Sequence, residues 1–361
     1  MSEVIKYKLL GKTPGELKEI AVKCGLPSYA GGQIAQWLYK KKVKTIDEMT
    51  NLSKAGREKL SERYETGAVA YSDCRESSDG TKKYLFPVTC AFGGGLNGIE
   101  GENPGKVESG SIEAVMIPEL DRKTLCVSSQ AGCKMGCKFC MTGRQGFHGN
   151  LSAADILSQF ISVDEAADLT GTVFMGMGEP LDNYENVRRA IEVLTADWGF
   201  GWSPKRITLS SIGVLPNLKR YLDETRCHLA ISMHDAFPDE RGELMPVQKA
   251  YPLKDVISLI RQYDFTGQRR VSFEYTMFSG FNDDKRHADG IIRLLSGLEC
   301  RVNLIRFHKI PDFPYVSSPE GVMEVFRDRL NKAGITSTIR ASRGEDIFAA
   351  CGMLAGKHGD K

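Results

Sequence analysis

The run Cys133-Lys-Met-Gly-Cys137-Lys-Phe-Cys140 sets three thiols at CxxxCxxC spacing, with no fourth ligand of matching type close by. Three thiolates can hold three irons of a cubane 4Fe–4S cluster and leave the fourth iron open to a small molecule. A structural zinc site is the bland alternative. Such a site closes with four ligands, usually from two CxxC-type pairs, and this chain has no second pair. An open position implies chemistry rather than a structural staple.

Around this loop the pattern is strand, loop, helix, repeated. Leu125–Ser129, Thr172–Met177, Arg206–Ser211, Leu229–His234, Val271–Phe278 and Arg301–Phe307 are apolar or β-branched and of strand length. Helical patterns fall between them at Ser152–Leu169, Asn183–Leu194, Pro252–Tyr263, Asp283–Leu295 and Glu320–Ala333, the first opened by the capping box Ser152-Ala-Ala-Asp155. Six β/α units in series predict a parallel sheet, and six rather than eight predict a partial (β/α)6 TIM-like barrel that does not close. Parallel α/β architectures bind ligands at the carboxyl ends of their strands. The cysteine loop follows the first strand, where such a site is expected.

Residues 119–361 thus make the barrel and a C-terminal loop, preceded by residues 1–70, which read as a helical accessory domain. Pro14–Cys24, Ala30–Lys41 and Ile46–Tyr64 have helical spacing, with Thr45-Ile-Asp-Glu48 as a capping-box signature. Up to Glu65 this segment carries 13 Lys/Arg against 8 Asp/Glu, densest in Trp37-Leu-Tyr-Lys-Lys-Lys-Val-Lys44. Basic side chains interleaved with aromatics suit a phosphate backbone and unstacked bases, and a solvated helix end is the alternative. Residues 71–118 read as a small β linker region: a strand-like stretch at 80–88, then a tract with seven glycines from Gly93 to Gly110, too poor in apolar residues to pack and expected to be a mobile loop.

The 361 residues are 41% hydrophobic and 26% charged, the composition of a globular protein with a large core. No apolar run nears the ~20 residues that span a bilayer, and the N-terminal stretch lacks a signal-peptide core, so a cytoplasmic location with no membrane partner is expected. Ten cysteines in that setting argue for reduced thiols, metal ligands or catalytic sulfur. A net charge of +2 identifies no partner by itself.

Beyond the second strand, Gly176-Met-Gly178-Glu179-Pro180 is a glycine turn that lets backbone approach a ligand, with an acid able to accept hydrogen bonds from an ammonium or a hydroxyl. Ser210 and Ser211 end the third strand; Ser232, Met233 and His234 end the fourth. Cys126 lies within an otherwise apolar strand and reads as an inert core thiol when taken alone. Cys351, in Ala349-Ala-Cys351-Gly-Met near Arg340 and Arg343, is poor core material and reads as reactive.

The three-thiol spacing resembles that of the radical S-adenosylmethionine (SAM) enzymes, in which SAM chelates the open iron and one electron from the cluster cleaves the sulfonium to a 5′-deoxyadenosyl radical. Further runs narrow the resemblance: Arg122-Lys-Thr-Leu-Cys-Val-Ser-Ser-Gln130, Gln145-Gly-Phe147, Phe174-Met-Gly-Met-Gly-Glu-Pro-Leu181, Leu229-Ala-Ile-Ser-Met-His234 and Arg343-Gly-Glu-Asp on to Ala-Ala-Cys351-Gly. Over nearly its whole length the chain is similar to the dual-specificity RNA adenine-C2 methyltransferases of RlmN type. The resemblance implies a radical SAM barrel with cluster ligands Cys133, Cys137 and Cys140, and SAM surrounded by Gly178, Glu179, Ser211, Ser232, Met233 and His234. It implies His308 where the family commonly has an Asn that contacts SAM, Glu113 as the acid approaching the target adenine, Cys351 as the methyl-carrying thiol and Cys126 as the resolving thiol, the two passing through a disulfide. The implied substrates are 23S rRNA and tRNA, and the implied partner is a one-electron reductant such as flavodoxin or ferredoxin. The Gly93–Gly110 tract looks like an insertion relative to that family. Two other readings stand beside this one: a C8-directed rRNA adenine methyltransferase of the antibiotic-resistance type, with the same thiols, and a zinc-containing RNA-binding protein.

Overall fold

A computed structural model describes residues 6–91, 107–267 and 269–355. The N-terminal unit is a two-stranded parallel pair, β1 (Tyr7–Lys8) and β2 (Tyr64–Glu65), enclosing α1 (Pro14–Lys23), α2 (Ala30–Ala35) and α3 (Lys54–Arg63). Thr13 and Glu16 form a capping box on α1, and α2 runs on into a wider turn over Gln36–Lys41. The third helix starts at Lys54, capped by Ser53, rather than at Ile46. Glu48 does accept from Thr45 N and Oγ1, at 2.8 and 2.9 Å, but the pair closes an irregular turn and no helix follows it.

Among the described residues the remaining strands form one 12-stranded sheet. Its antiparallel part comprises β3 (Asp73–Glu76), β4 (Lys82–Ala91) and β5 (Val107–Glu119). The region read as a small β linker contains a long antiparallel pair running from Lys82↔Met116 to Ala91↔Val107. Of the glycine tract, 107–110 belongs to β5; the expectation of a loop over 92–106 lies outside the described residues. After β5 come β6 (Arg122–Cys126), β7 (Gln130–Gly132), the short helix α4 (Met141–Arg144) and β8 (Phe147–Asn150).

The parallel series then runs β6, α5 (Ala153–Ser162), β9 (Gly171–Phe174), α6 (Tyr184–Thr195), β10 (Ile207–Ser211), α7 (Leu215–Glu224), β11 (His228–Ser232), α8 (Pro238–Leu244), α9 (Leu253–Ile260), β12 (Val271–Met277), α10 (Lys285–Leu295), β13 (Arg301–Arg306), α11 (Glu320–Lys332) and β14 (Thr336–Ile339). Six β/α units are therefore present, as the periodicity predicts, followed by a seventh parallel strand too short and polar to stand out in the sequence. On its other side β6 pairs antiparallel with β5 instead of meeting β14, so the partial barrel stays open.

The helix α5 keeps the predicted Ser152–Asp155 capping box but ends at Ser162, not Leu169. Beyond it, Glu165 is drawn to Tyr84 Oη (2.7 Å) and Lys82 Nζ (2.9 Å) of β4, and Asp164 to Tyr71 Oη (2.9 Å), bonds that a continued helix would forgo. All ten residues of α5 are buried, because the N-terminal unit covers its outer face. Lys8 Nζ meets Asp155 there at 2.5 Å, Val69 N donates to Ser158 Oγ at 2.6 Å, and Arg189 reaches Glu16 at 3.3 Å. Lys42 is part of this seam: its Nζ donates to Ala166 O and lies 4.9 Å above the Phe200 ring. Its neighbours Lys40 and Lys41 are exposed. Trp37 donates to Asn51, and Tyr39 is buried with its hydroxyl on Lys12 O, so the aromatics of this stretch serve packing. Among the described residues no helix is long and apolar enough to cross a membrane.

Candidate functional site

The carboxyl ends of the parallel strands surround an open cavity of about 160 Å³. Cys133, Cys137 and Cys140 enter it from the loop between β7 and α4; Gly178 and Glu179 from the turn after β9; Ser211, Ser232 and His234 from the ends of β10 and β11; and Cys351 from the C-terminal segment. Each parallel strand ends in a turn at this mouth, so residues over 200 positions apart in the chain face one space.

The thiols of the cysteine loop are buried chemically even where the residues are partly exposed. Burial, joined by the neighbouring thiols, holds Cys137 well above the ordinary thiol range; burial pushes Cys133 up to about 12 and raises Cys140. Ionising all three needs a cation among them. Three soft sulfur donors from one loop, facing one cavity, fit an iron–sulfur cubane with one open corner.

Gly178 has φ of +98°, and a Cβ there would lie 2.5 Å from Gln130 Cβ, so this turn tolerates only glycine. The close approach serves a real bond: Glu179 N donates to Gln130 Oε1 at 2.9 Å, locking the glycine turn to the strand that leads into the cysteine loop. Glu179 is 3% exposed, and its oxygens accept from Leu181 N and Ile212 N at 3.0 Å each. Burial outweighs these bonds and lifts its pKa to about 7. His234, at φ +56°, accepts from Thr276 N through Nδ1 at 3.0 Å. Burial, with the Arg241 cation behind it, lowers its pKa to about 3, so the ring is neutral and its remaining proton sits on Nε2. Phe139, between two cluster cysteines, packs edge-on against that ring at 4.8 Å.

Three further charged groups stand at or behind the mouth, none of them assigned a role from the sequence. Glu274 is an acid inside the apolar run of β12, an anomaly that could have flagged it; it accepts from Asn303 at 2.7 Å and faces Arg340 at 3.4 Å. Arg340 lines the cavity beside Cys351 and also touches Met175 Sδ at 3.5 Å. Arg241 is fully buried and donates to Met233 O and Ser232 O, both at 3.0 Å, fixing the end of β11.

Four predicted site residues lie elsewhere. Cys126 ends β6 below the cavity, 7% exposed, and burial pushes its thiol up to about 12; Cys351 is near enough that its charge adds to the rise. No disulfide joins them: both are free thiols. Met233 is fully buried with its side chain off the cavity. His308, expected to contact SAM, does not line the cavity; its ring is held between Ser342 Oγ (3.1 Å) and Glu345 Oε1 (3.3 Å). Glu113, expected to approach the substrate base, is fully buried on β5, paired with Lys83 at 2.9 Å and accepting from Ala355 N at 2.7 Å.

Comparison with known proteins agrees with this geometry. Residues 127–289 match the family model of the radical SAM superfamily, and residues 7–66 that of the ribosomal RNA large subunit methyltransferase N-terminal domain. The probable dual-specificity RNA methyltransferase RlmN of Porphyromonas gingivalis is 56% identical over 97% of this chain and 94% of its own. The protein of the same name from Parabacteroides distasonis is 53% identical over 98% and 97%. A crystal structure of a radical SAM methyltransferase from Sphaerobacter thermophilus superposes with a TM-score of 0.87 at 35% identity, covering 97% of this chain and 100% of that one. With both the cluster-loop architecture and similarity running from end to end, the chain belongs to the RlmN family of dual-specificity RNA methyltransferases within the radical SAM superfamily.

Proposed function

We propose that this protein methylates C2 of adenosine in 23S rRNA and in tRNA, by way of a methyl group carried on Cys351. The observation that supports it most is that Cys351 and the three cysteines of the CxxxCxxC loop line one cavity from different sides. Cys133, Cys137 and Cys140 would hold a 4Fe–4S cluster, and Gly178, Glu179, Ser211, Ser232 and His234 would enclose SAM; together these cofactors supply the methyl group and one-electron cleavage chemistry.

The C2 carbon of adenine is electron-poor and has no nucleophilic lone pair, so it cannot itself displace a methyl group from a sulfonium. Cys351 can: as a thiolate it accepts the methyl by displacement and holds it at the mouth. Bonding that carbon to C2 would cost the S-methyl group one hydrogen atom, which the one-electron chemistry of those cofactors would take up, and would tether the base to the protein through Cys351 sulfur. Cys126 would release it as a thiolate attacking that sulfur: the S–CH2 bond breaks as the Cys126–Cys351 disulfide forms, the C2 proton leaves, one electron returns to the cluster, and a proton completes the methyl group on the base. Its high pKa keeps Cys126 protonated and quiet until then. The neutral His234 offers an Nε2–H donor and Glu179 a buried acceptor, which suits a ligand carrying both carboxylate and ammonium groups. A target base must leave its stack to enter the cavity, which suits a loop adenine of folded RNA.

A one-electron reductant such as flavodoxin or ferredoxin is the fitting partner, and the cytoplasm is the fitting location. The C8-directed alternative shares this thiol set. Anaerobic incubation with SAM, reductant and RNA followed by nucleoside analysis tests the proposal: 2-methyladenosine is the expected product, and 8-methyladenosine or unmodified RNA overturns it.

A further inference from the structure

Lys83 and Glu113 face each other across β4 and β5 with side chains 2% and 0% exposed, 2.9 Å apart, and neither lines the cavity. A buried ion pair persists only where its remaining protons and lone pairs also find partners. Two such partners are on one segment. Lys83 Nζ donates to Phe348 O at 3.3 Å, and Glu113 Oε2 accepts from Ala355 N at 2.7 Å. Phe348 precedes Cys351 and Ala355 follows it, so the pair grips both ends of the loop whose apex is the thiol.

The turn between β3 and β4 holds the approach to that loop. Asp79 accepts from Gly344 N at 3.0 Å, and Asp346 accepts from Ser77 Oγ at 2.5 Å and Ser78 N at 3.1 Å. Gly344, at φ +62°, packs so closely on Thr81 that a Cβ would lie 2.9 Å from its Cγ2. On the opposite side, the helix after the last cluster cysteine supplies Met141 N to Gly352 O (2.8 Å) and Thr142 Oγ1 to Leu354 O (2.7 Å). The Cys351 loop is thus slung between the cysteine loop and the β4–β5 hairpin, and Lys83 is a cation that binds the hairpin side from within the protein.

We infer that Lys83 is a positioning residue for the reaction: through Glu113 and Phe348 it holds the Phe348–Ala355 loop so that the Cys351 thiol faces the cluster and SAM cavity. This rests on reading Cys351 as the methyl-accepting thiol. A methionine in place of Lys83 fills the space but takes its ammonium away from Phe348 O and Glu113, and the loop is weakened at both ends.

Hydrogen–deuterium exchange and methylation of Cys351 in the absence of RNA test it together. In Lys83→Met, amides of the Gly344–Ala355 segment, that of Ala355 above all, exchange tenfold or more faster while β9–β13 keep their protection. SAM-dependent methylation of Cys351, read by mass spectrometry in a single turnover, falls at least tenfold, and Lys83→Arg recovers a substantial part of both. Lys83→Met/Glu113→Leu removes both buried charges and so guards against simple misfolding; it shows the same fast exchange. Unchanged exchange in either folded variant overturns the inference, as does fast exchange with undiminished Cys351 methylation, which would make the pair purely structural. Failure of the unsubstituted protein to methylate Cys351 at all sinks instead the reading on which this rests, and the exchange data, which need no cofactor, separate the two failures.

Discussion

The Glu179 carboxylate accepts the backbone N–H of Ile212 at 3.0 Å, tying the turn after β9 to the turn after β10 across the floor of the cavity. A charged ligand group is the natural counterpart of so buried an acid, and without one the carboxylate is held at a cost.

That cost has a sign and a pH window. Burial lifts the Glu179 pKa to about 7 from an unfolded value of 4.5, so between those values the native state binds a proton that the unfolded state has released. Unfolding free energy therefore falls as pH rises from about 4.5 to 7, and above pH 7 this group has cost about 3 kcal/mol. In the metal-free protein Glu179→Gln should gain ~1–3 kcal/mol relative to the unsubstituted chain at pH 7.5 compared with pH 5. Urea unfolding of both proteins at the two pH values measures it, and equal differences at both would mean that Glu179 is already ionised.

Replacing any one of Cys133, Cys137 or Cys140 by Ala should abolish iron retention and 5′-deoxyadenosine formation together, because two thiolates do not hold a site-differentiated cubane. Iron analysis and product yield on anaerobically reconstituted protein decide it. Full yield from Cys137→Ala would remove the cluster assignment, and a colourless protein carrying zinc would restore the structural alternative.

The basic N-terminal stretch divides in two. Lys40→Ala/Lys41→Ala should weaken RNA binding and reduce the log–log salt slope by about one for each phosphate no longer neutralised, leaving SAM cleavage intact. Lys42→Ala should leave the slope alone and loosen the seam between the N-terminal unit and the barrel, since its ammonium binds Ala166 O and the Phe200 ring. Fluorescence anisotropy over a salt series distinguishes them, and an unchanged slope in the Lys40/Lys41 variant would return those lysines to a solvated face.

What could be read from the sequence followed from periodicity and residue chemistry at short range. Strands β9 to β13 are apolar runs bounded by turns, and the three cysteines, Gly178, Glu179, Ser211, Ser232 and His234 stand at strand ends, so order along the chain translated into position around one mouth. β14 escaped because Thr336-Ser-Thr-Ile339 is short and polar, and it is a strand only because β13 pairs with it. The Thr45–Glu48 box is a local signal that forms its bonds without nucleating a helix. Lys83 on β4 and Arg241 on α8 were invisible for a different reason: charged residues in strands and helices read as solvent-facing until their partners, Glu113 and the Ser232 carbonyl, show why they are buried; Glu274, inside the apolar run of β12, was the one anomaly the sequence carried, and its partner Arg340 explains it.

Cys126 gives the sharpest test, because packing and chemistry predict opposite outcomes for it. If the thiol only fills β6, Cys126→Ala leaves a small cavity, costs about 1 kcal/mol and turns over normally. If it resolves the tethered base, the variant still methylates Cys351, still cleaves SAM, and then stalls with RNA bound covalently to the protein. The buried position, the pKa of about 12 and the nearness of Cys351 favour a thiol held in reserve for one late step. Nuclease digestion followed by mass spectrometry should find an adenosine-bearing peptide that contains Cys351, and it should be missing from Cys126→Ala/Cys351→Ala. Methyladenosine released at the unsubstituted rate by Cys126→Ala, with no such peptide, would end the two-thiol mechanism and leave the cluster and SAM assignments standing.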